Sequence, residues 1–362
     1  MWGQADKGSE MIQRQLKLRL TRSQEATLQE WLPTLASIWN WSIRKIENDA
    51  KGGIYYSPNK FQNLLAGTSK TLGIPSHTIQ GMLSLAHQSW QRCFRRVARK
   101  PRLKGKRNRL NSIPFPDPIG RPVDNKIKIP GLGMVRYHKQ TLPEGKIKQG
   151  RIVRRASGWY LCLFIDTEPN NIPVVGHNII GIDPGYKTLL TLSSGEKISH
   201  PKELQRNIKR LGQAQRGNSK RLAARIQERI SNQRKDRNHK LSRRLVSENA
   251  VICFSKDNLR GLSRSGYGKS VAAASHGQLR SMLAYKSSRT GDRRYIEVPG
   301  KGSTRTCSHC GASTGPQGRA GLSVRQWECS ACGTHHDRDV NAAINTLIAG
   351  VGTTHEEMRH AA

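Results

Sequence analysis

Two Cys-x-x-Cys pairs in the last quarter of the sequence constrain the fold more than any other feature. Cys307 and Cys310 form the first pair, Cys329 and Cys332 form the second, and eighteen residues separate the pairs. Four thiolates with this spacing can close tetrahedrally around one zinc ion, and a glycine follows each pair, where a tight turn favours positive φ. We therefore predict a structural zinc ribbon in a reducing compartment, because a closed four-cysteine site leaves no position open for water.

The charge of the chain points to a polyanionic partner. Lys and Arg total 62 against 25 Asp and Glu, a formal net charge of +37. Such an excess repels itself unless a polyanion neutralises it, and nucleic acid is the partner that fits. A membrane surface would compete, but the sequence contains no secretory signal and no apolar run near the roughly 18 residues that span a bilayer. A basic protein of ribosomal type remains compatible with composition alone.

Hydrophobic periodicity predicts a β module interrupted by helices in the first half of the chain. Residues 11–20 alternate like a half-buried strand, 23–49 have helical spacing, and a second helical region reaches Phe94. Residues 127–138 and 150–166 have the pattern of β-hairpins.

The second half alternates strands with helices. We predict two short strands within 177–199, followed by one or two long basic helices over 201–248. A strand at 251–257 and a helix at 274–287 come next. A further strand at 293–298 precedes the cysteines, and a helix at 340–350 follows them.

Two segments carry most of the excess charge. Residues 98–110 hold seven basic residues and no acidic one, and residues 202–244 hold fifteen basic and three acidic residues. A charged run is commonly only a solvated face, yet the bias here favours phosphate contact. The predicted contacts are Arg99, Lys100, Arg102, Lys104, Lys106, Arg107, Arg109, Arg206, Lys209, Arg210, Lys220, Arg221 and Arg225.

Aspartates stand at the ends of predicted elements. Asp183 ends the apolar run NIIGID, and Asp337 and Asp339 precede an apolar helix. Singly, each is explained by a local turn or a helix N-cap. Together, Asp183 and Asp339 offer the hard oxygen ligands that phosphodiester hydrolysis with two Mg²⁺ ions requires.

Three segments then resemble one family. GIDPGYKTLLTLSSG, ICFSKDNLRGL and TRTCSHCG…ECSACGTHHDRDVNAAINTL are similar to the three RuvC-type segments and the inserted zinc ribbon of the TnpB (OrfB) proteins of insertion sequences, the apparent ancestors of type V CRISPR effectors. The resemblance is strong over about 178–348. It is weaker in the first half, where Trp39-Asn40 and the basic segment 98–110 carry it.

The resemblance implies an α+β fold with a wedge-type N-terminal β-barrel, an inserted helical recognition domain, an RNase H-like (RuvC) α/β nuclease domain and an inserted Cys₄ zinc ribbon. The expected barrel comprises 1–21 and 112–170, with the helical domain inserted at 22–111. The expected RuvC domain comprises 175–303 and 337–350, with the zinc ribbon inserted at 304–336. Residues 351–362 are expected to form a disordered tail.

The resemblance also implies an RNA-guided DNA endonuclease. Such a protein binds a guide RNA from the transposon end, reads a short motif beside a double-stranded DNA target and cuts at one RuvC site. Asp183 and Asp339 match the family's first and third catalytic aspartates and would hold two Mg²⁺ ions, while Zn²⁺ supports the ribbon. No internal repeat or coiled-coil seam suggests a dimer, so we expect a monomer in the bacterial or archaeal cytoplasm, working at the nucleoid.

The second segment departs from the family pattern, because its glutamate position falls on Ser255. One hypothesis is that another carboxylate has taken over, with Glu297 preferred to Asp257; the retained Asp183 and Asp339 favour this. Another is a nuclease-inactive, RNA-guided DNA-binding repressor. A third is a basic zinc-ribbon protein that only scaffolds RNA, which leaves the paired aspartates unexplained.

Overall fold

The computed structural model describes residues 10–117, 119–168, 172–256, 264, 268–317, 321 and 323–352, without the side chains of 202–204 and 269. The chain divides into two compact units, Met1–Pro169 and Asn170–Ala362, and each is described by itself. Within the described residues, no helix is both long enough and apolar enough to cross a bilayer.

The described residues of the first unit form six strands and four α-helices. The strands are β1 (Glu10–Arg19), β2 (Ser112–Phe115), β3 (Lys126–Ile129), β4 (Gly133–Tyr137), β5 (Lys146–Arg155) and β6 (Gly158–Thr167). The helices are α1 (Arg22–Lys51), α2 (Pro58–Gln62), α3 (Ser69–Leu72) and α4 (Ser76–Phe94). The predicted first strand, first helix and both hairpins are confirmed.

The six strands form one antiparallel sheet in the order β2-β5-β6-β1-β4-β3. Alternate residues of β6 (Leu161, Leu163 and Ile165) are buried, and Leu16 of β1 pairs with Leu161 on the same buried face. Among the described strands, β2 and β3 end the sheet without pairing to each other. Closure into a barrel therefore stays a prediction.

Helix α1 begins at a capping box. The side chain of Thr21 accepts from the backbone N–H of Gln24, whose side chain accepts from the backbone N–H of Thr21. Leu28, Trp31 and Leu35 then recur at helical spacing and are buried. This apolar stripe packs α1 against α4 in the core of the first unit.

In the part of the second unit that the structure describes there are seven strands and five α-helices. The strands are β7 (Asn178–Pro184), β8 (Leu190–Leu192), β9 (Lys197–Ile198), β10 (Asn249–Lys256), β11 (Arg294–Pro299), β12 (Gln326–Glu328) and β13 (His335–Asp337). The helices are α5 (Lys202–Arg216), α6 (Lys220–Glu248), α7 (Gly268–Ala274), α8 (His276–Arg289) and α9 (Arg338–Val351). Every element predicted for this half is present, with the basic stretch split into two helices.

Five of these strands form a mixed sheet in the order β11-β10-β7-β8-β9. Strands β7, β10 and β11 are parallel, and β8 and β9 continue from β7 as an antiparallel meander. On one face, Ile182 and Phe254 belong to the same apolar cluster as Leu283 of α8. On the other face, Cys253 clusters with Leu347 of α9.

Helix α9 crosses β7 at Gly181. A β-carbon placed on Gly181 would lie 2.1 Å from the carbonyl oxygen of Ala343 and 2.8 Å from Cβ of Leu347. Backbone cannot yield as a flexible side chain can, so only glycine allows this approach. The crossing fixes where the start of α9 lies relative to the end of β7.

We expect Gly181→Ala to destabilise the protein by about 1–3 kcal/mol, the usual cost of overpacking a close-packed core. Denaturant or thermal unfolding measures the change. Gly212→Ala is the matched control, because Gly212 lies inside α5 with only the end of the Arg216 side chain near its missing β-carbon. That control should be neutral or stabilising by up to about 1 kcal/mol. Equal stability of Gly181→Ala and wild type would contradict the close crossing.

Candidate functional site

The four cysteines of the two pairs converge on one point. Their sulfur atoms all lie within 4.8 Å of one another, with Cys307 to Cys332 and Cys310 to Cys329 each at 3.7 Å. Tetrahedral zinc with Zn–S bonds near 2.3 Å places its sulfur ligands about 3.8 Å apart. The cluster can therefore hold one metal ion such as Zn²⁺, as the spacing in the sequence predicts.

The turns that shape the cluster depend on glycine. The backbone N–H of Gly311 donates to the carbonyl of Cys307 at 2.9 Å, and that of Gly333 donates to the carbonyl of Cys329 at 2.8 Å. Their φ angles are +80° and +69°, as predicted for both positions. Each pair thus turns back on itself and presents both of its sulfur atoms to the centre.

Polar side chains contact the sulfur atoms from outside the cluster. The Thr314 hydroxyl donates to Sγ of Cys329 at 3.1 Å, and Nε2 of His336 lies 3.0 Å from Sγ of Cys307. The hydrogen bond from Thr314 is the main cause that lowers the pKa of Cys329 to about 6. Thiolate, the form that binds metal, is therefore favoured at this sulfur at neutral pH.

Two asparagines tie α9 to the first cysteine turn. The side chain of Asn341 accepts from the backbone N–H of Ser308 at 2.8 Å and donates to the carbonyls of Ser303 at 3.1 Å and Thr306 at 2.9 Å. Asn345, one helical turn later, donates to the same two carbonyls. The run DRDVNAA contains Asn341, but no pattern in the sequence reveals these contacts.

The second cysteine pair leads directly into the start of α9. Strand β13 pairs with β12 and ends at Asp337, which caps α9 by accepting from the backbone N–H groups of Asp339 and Val340 at 3.1 Å. Asp339 therefore lies in the first turn of the helix, where Nη1 of Arg325 is 3.4 Å from its carboxylate. The start of α9 holds a pair of carboxylates.

Asp337 also bonds to the edge of the five-stranded sheet. Nζ of Lys197 on β9 lies 2.6 Å from Oδ2 of Asp337. Burial raises the pKa of Asp337, but hydrogen bonds from Lys197 and the backbone of α9 outweigh burial, so its pKa lies below the usual value. Asp337 is thus an ionised N-cap, one of the two local roles that the sequence allows, and its contact with Lys197 of another element has no local sequence signal.

Asp183 lies on the face of the sheet that α9 covers. It pairs with Thr191 of β8, which pairs with Lys197 of β9, so all three side chains point to one face. Gly181, two residues before Asp183 on the same face, is where α9 crosses. Lys197, in the row of Asp183, contacts Asp337 at the start of α9. The structure therefore brings Asp183 and Asp339 to the same face and the same end of the sheet.

Ser255 occupies a neighbouring place on this face. Cys253 of β10 pairs with Gly181 of β7. Ser255 follows Cys253 by two residues and Asp183 follows Gly181 by two, so the same register places Ser255 beside Asp183. Its side chain is buried, with the residue 2% exposed. The position where the resemblance places a glutamate thus does face the site, but the side chain there is a neutral hydroxyl.

Comparison with known proteins finds two family profiles that match separate parts of this chain. Residues 164–265 match the OrfB_IS605 "Probable transposase" family profile, and residues 276–346 match the "Cas12f1-like, TNB domain" profile. The chain is 36% identical over 228 residues to a "Putative RNA-guided DNA endonuclease" of Streptomyces pristinaespiralis, covering 59% of this chain and 56% of that protein. It therefore spans little more than half the length of that relative.

Two further likenesses extend over most of the chain. "Putative RNA-guided DNA endonuclease InsQ" of Escherichia coli (strain K12) is 25% identical over 370 residues, which cover 92% of this chain and 91% of that protein. The "Cryo-EM structure of the Cas12f1-sgRNA-target DNA complex" matches with a TM-score of 0.57 at 14% identity over 90% of this chain and 83% of that one, a likeness of fold. The resemblance to the TnpB family that the sequence indicates is thus confirmed.

Glu297 lies on the other face of the five-stranded sheet. It pairs with Phe254, whose side chain packs toward α8, whereas Ser255 pairs with the next residue, Val298. Arg280 binds the Glu297 carboxylate through Nη2 at 2.6 Å and Nε at 2.9 Å, and Nζ of Lys256 lies 2.8 Å away. The structure does not bring Glu297 together with Asp183, contrary to the sequence-based preference.

The carboxylate of Glu297 is already neutralised where it lies. Burial raises its pKa, but the hydrogen bonds from Arg280 and Lys256 have the larger combined effect, so its pKa lies below the usual value. The second candidate, Asp257, lies outside the described residues.

The basic residues that the sequence predicts to contact phosphate lie on the surface. In the segment 98–110, every basic side chain is exposed except Lys104, which is half-buried with Nζ 5.1 Å from the ring centre of Trp39. Trp39 donates to the carbonyl of Arg102, and the side chain of Asn40 bonds both the N–H and the carbonyl of Lys104. Trp39 and Asn40 therefore anchor the basic segment to α1.

The basic residues of α5 and α6 that the sequence predicts to contact phosphate are exposed too. Ala214, Ile226 and Ile230 form a small apolar seam between α5 and α6. The six named basic residues are exposed: Arg206, Lys209, Arg210, Lys220, Arg221 and Arg225.

We expect the purified protein to contain one zinc ion, measured by elemental analysis, because four thiolates complete the coordination of zinc. Cys310→Ser should lose most of the zinc and lower the melting temperature, since a three-thiolate site leaves one position open. Cys93→Ser is the matched control, because Cys93 is a half-buried cysteine remote from the cluster in the sequence. Full zinc content in Cys310→Ser would contradict this assignment.

Proposed function

We propose that this chain is an RNA-guided DNA endonuclease that binds a transposon-derived guide RNA and cuts target DNA beside a short adjacent motif. The observation that carries the proposal is the placement of Asp183 and Asp339 on one face, at one end of the five-stranded sheet. The names of the Streptomyces and Escherichia relatives support the same activity.

The topology of the sheet supports a RuvC-like nuclease domain. An antiparallel meander of three strands is followed by two strands parallel to the first, and the final helix covers one face. We propose that this is the RNase H-like arrangement implied by the sequence, with the zinc ribbon inserted before its last helix. The first unit would then be the wedge and helical recognition part.

Asp183 and Asp339 are the residues that would hold Mg²⁺. Both offer hard carboxylate oxygens on the same face, and Asp337 is occupied by Lys197 and the helix N-terminus. Bound Mg²⁺ supplies charge neutralisation at the scissile phosphate and activates the attacking water. Arg325, beside Asp339, is placed to bind a phosphate oxygen at the same site. With Ser255 in the third position, the site carries two carboxylates instead of three.

Zn²⁺ in the cysteine cluster would have a supporting role. The ribbon is tied to α9 through Asn341 and Asn345, so folding of the ribbon fixes the first turn of that helix. The exposed basic residues of 98–110 and of α5 and α6 would track the phosphates of guide RNA and DNA. Action as a monomer and a cytoplasmic location stay predictions from the sequence.

A second candidate function is RNA-guided DNA binding without cleavage. The buried neutral Ser255 favours it, and so does Glu297, which faces away and is bound by two cations. A protein of this kind would block transcription at its target. Both candidates use the same RNA and DNA surfaces and differ only at the metal site.

The deciding experiment is cleavage of a plasmid by the protein co-expressed with RNA transcribed from its own genomic flank. We expect guide-dependent, Mg²⁺-dependent cutting that Asp183→Ala and Asp339→Ala abolish without loss of guided DNA binding. Guided binding with no cutting by the wild type would establish the second candidate. Failure to bind RNA or target DNA would overturn both.

The effect of Ser255 is predicted separately. Ser255→Glu restores a third carboxylate beside Asp183, so we expect half-maximal cleavage at an about tenfold lower Mg²⁺ concentration. Glu297→Gln should leave that Mg²⁺ dependence unchanged, because its side chain points to the other face. Loss of cleavage in Glu297→Gln, with its melting temperature kept, would show instead that Glu297 reaches the site in the working complex.

A further inference from the structure

The first unit exposes a pair of aromatic rings beside the basic segment. Tyr55 is 67% exposed and Phe94 is 40% exposed, and their ring centres lie 6.1 Å apart at an interplanar angle of 78°. Ile54 and Val97, their near neighbours in the chain, are 55% and 69% exposed. Exposed apolar side chains are normal when they are scattered, but a contiguous set on a surface indicates a binding site.

The rings are held in place from the core. Phe94 stacks on Trp90 with ring centres 5.2 Å apart, and the buried Trp90 donates from Nε1 to the carbonyl of Ile43. Tyr56, next to Tyr55, turns inward, where its hydroxyl donates to Asp49 and its ring packs against Phe61. Tyr55 thus faces outward beside a neighbour that is fixed.

Backbone hydrogen bonds also hold both turns that carry the patch. After α4, the N–H groups of Val97 and Ala98 donate to the carbonyl of Arg92, with Arg96 at a φ of +57°. After α1, the N–H of Ile54 donates to the carbonyl of Asp49 at 2.8 Å. The exposed rings are therefore presented by ordered turns, which lowers the entropic cost of binding to them.

Three arginines near the two rings in the chain are available to bind an anion. Arg92, Arg95 and Arg96 are exposed, and none of them forms an ion pair with any residue that the structure describes. The nearby carboxylates are already used, since Asp49 binds Lys45 and Tyr56, and Glu47 binds Lys100. Nothing in the described surroundings of the patch offers a free negative charge to a basic partner.

We propose that Tyr55 and Phe94 form a stacking site for unpaired bases of the guide RNA, with Arg92, Arg95 and Arg96 on the adjoining phosphates. Aromatic rings bind any unpaired base through its π-face, and arginines bind the backbone that carries it. RNA is the partner because folded RNA offers splayed bases in loops and bulges, whereas duplex DNA keeps its bases stacked. This inference rests on the proposed function and names a part of the RNA surface within it.

The test is the affinity for the guide RNA of ring-removing and ring-keeping variants. Tyr55→Leu and Phe94→Leu should each weaken binding by about 5- to 100-fold, the range expected for stacking of one base. Tyr55→Phe and Phe94→Tyr keep the ring and should bind as the wild type does. All four variants should keep the wild-type melting temperature, because neither ring is buried.

Salt dependence separates stacking from charge. Tyr55→Leu should leave the slope of log affinity against log salt unchanged, whereas Arg95→Gln and Arg96→Gln should each reduce it by about 0.7. Unchanged RNA affinity in both leucine variants would overturn the proposal. Unchanged RNA affinity with weaker binding of the target would reassign the site to DNA and equally overturn it. A wild type that binds no RNA would instead refute the proposed function itself.

Discussion

The second unit depends on the hydrogen bonds that Asn341 makes with the first cysteine turn. Its side-chain amide is buried, and Oδ1 accepts from one backbone N–H while Nδ2 donates to two carbonyls. Removing this side chain would leave the buried N–H of Ser308 without its acceptor, which costs more than the net value of that bond, whereas the two carbonyls would keep their hydrogen bonds from Asn345. Asn345 repeats the donation one turn later, and Ala342 and Ala343 between them are small enough for the opposite side of α9 to lie on β7. One helix thus has an amide face for the ribbon and a small-residue face for the sheet.

This arrangement explains how the cysteine cluster, whose four ligands would leave a bound zinc ion no open position, can matter to the chemistry proposed for Asp183 and Asp339. The cysteine cluster orders the turn that Asn341 binds, and the second turn leads through β13 to Asp337 and the first turn of α9. The sheet provides a second connection, because Asp183 pairs across β8 with Lys197 of β9 through Thr191, and Lys197 forms an ion pair with Asp337. Asp339 is therefore positioned both by the ribbon and by the sheet. The two constraints are independent, since one runs through backbone hydrogen bonds and the other through an ion pair.

Much of this could be predicted from the sequence, because the signals are local. The cysteine spacing predicts the cluster, the run NIIGID predicts a strand ending at Asp183, and helical periodicity predicts α1 and α9. The face on which Glu297 lies could not be predicted, because it depends on the register between two parallel strands, β10 and β11, that 37 residues separate. A shift of one residue would place Glu297, instead of Val298, opposite Ser255 and reverse the conclusion. The contact of Lys197 with Asp337, 140 residues apart, carries no local signal either.

The residues that bind nucleic acid in these proposals are distinct from those that would cut it. The exposed arginines and lysines of 98–110, α5 and α6, and the rings of Tyr55 and Phe94, act through phosphates and bases and need no carboxylate. A change of glutamate to serine at position 255 therefore alters the charge of the metal site and leaves those surfaces as they are. It also removes the charge repulsion that a third carboxylate would add on this face of the sheet. The same architecture can thus support cleavage with weaker metal binding or targeting alone, and the side chain at one strand end decides between them.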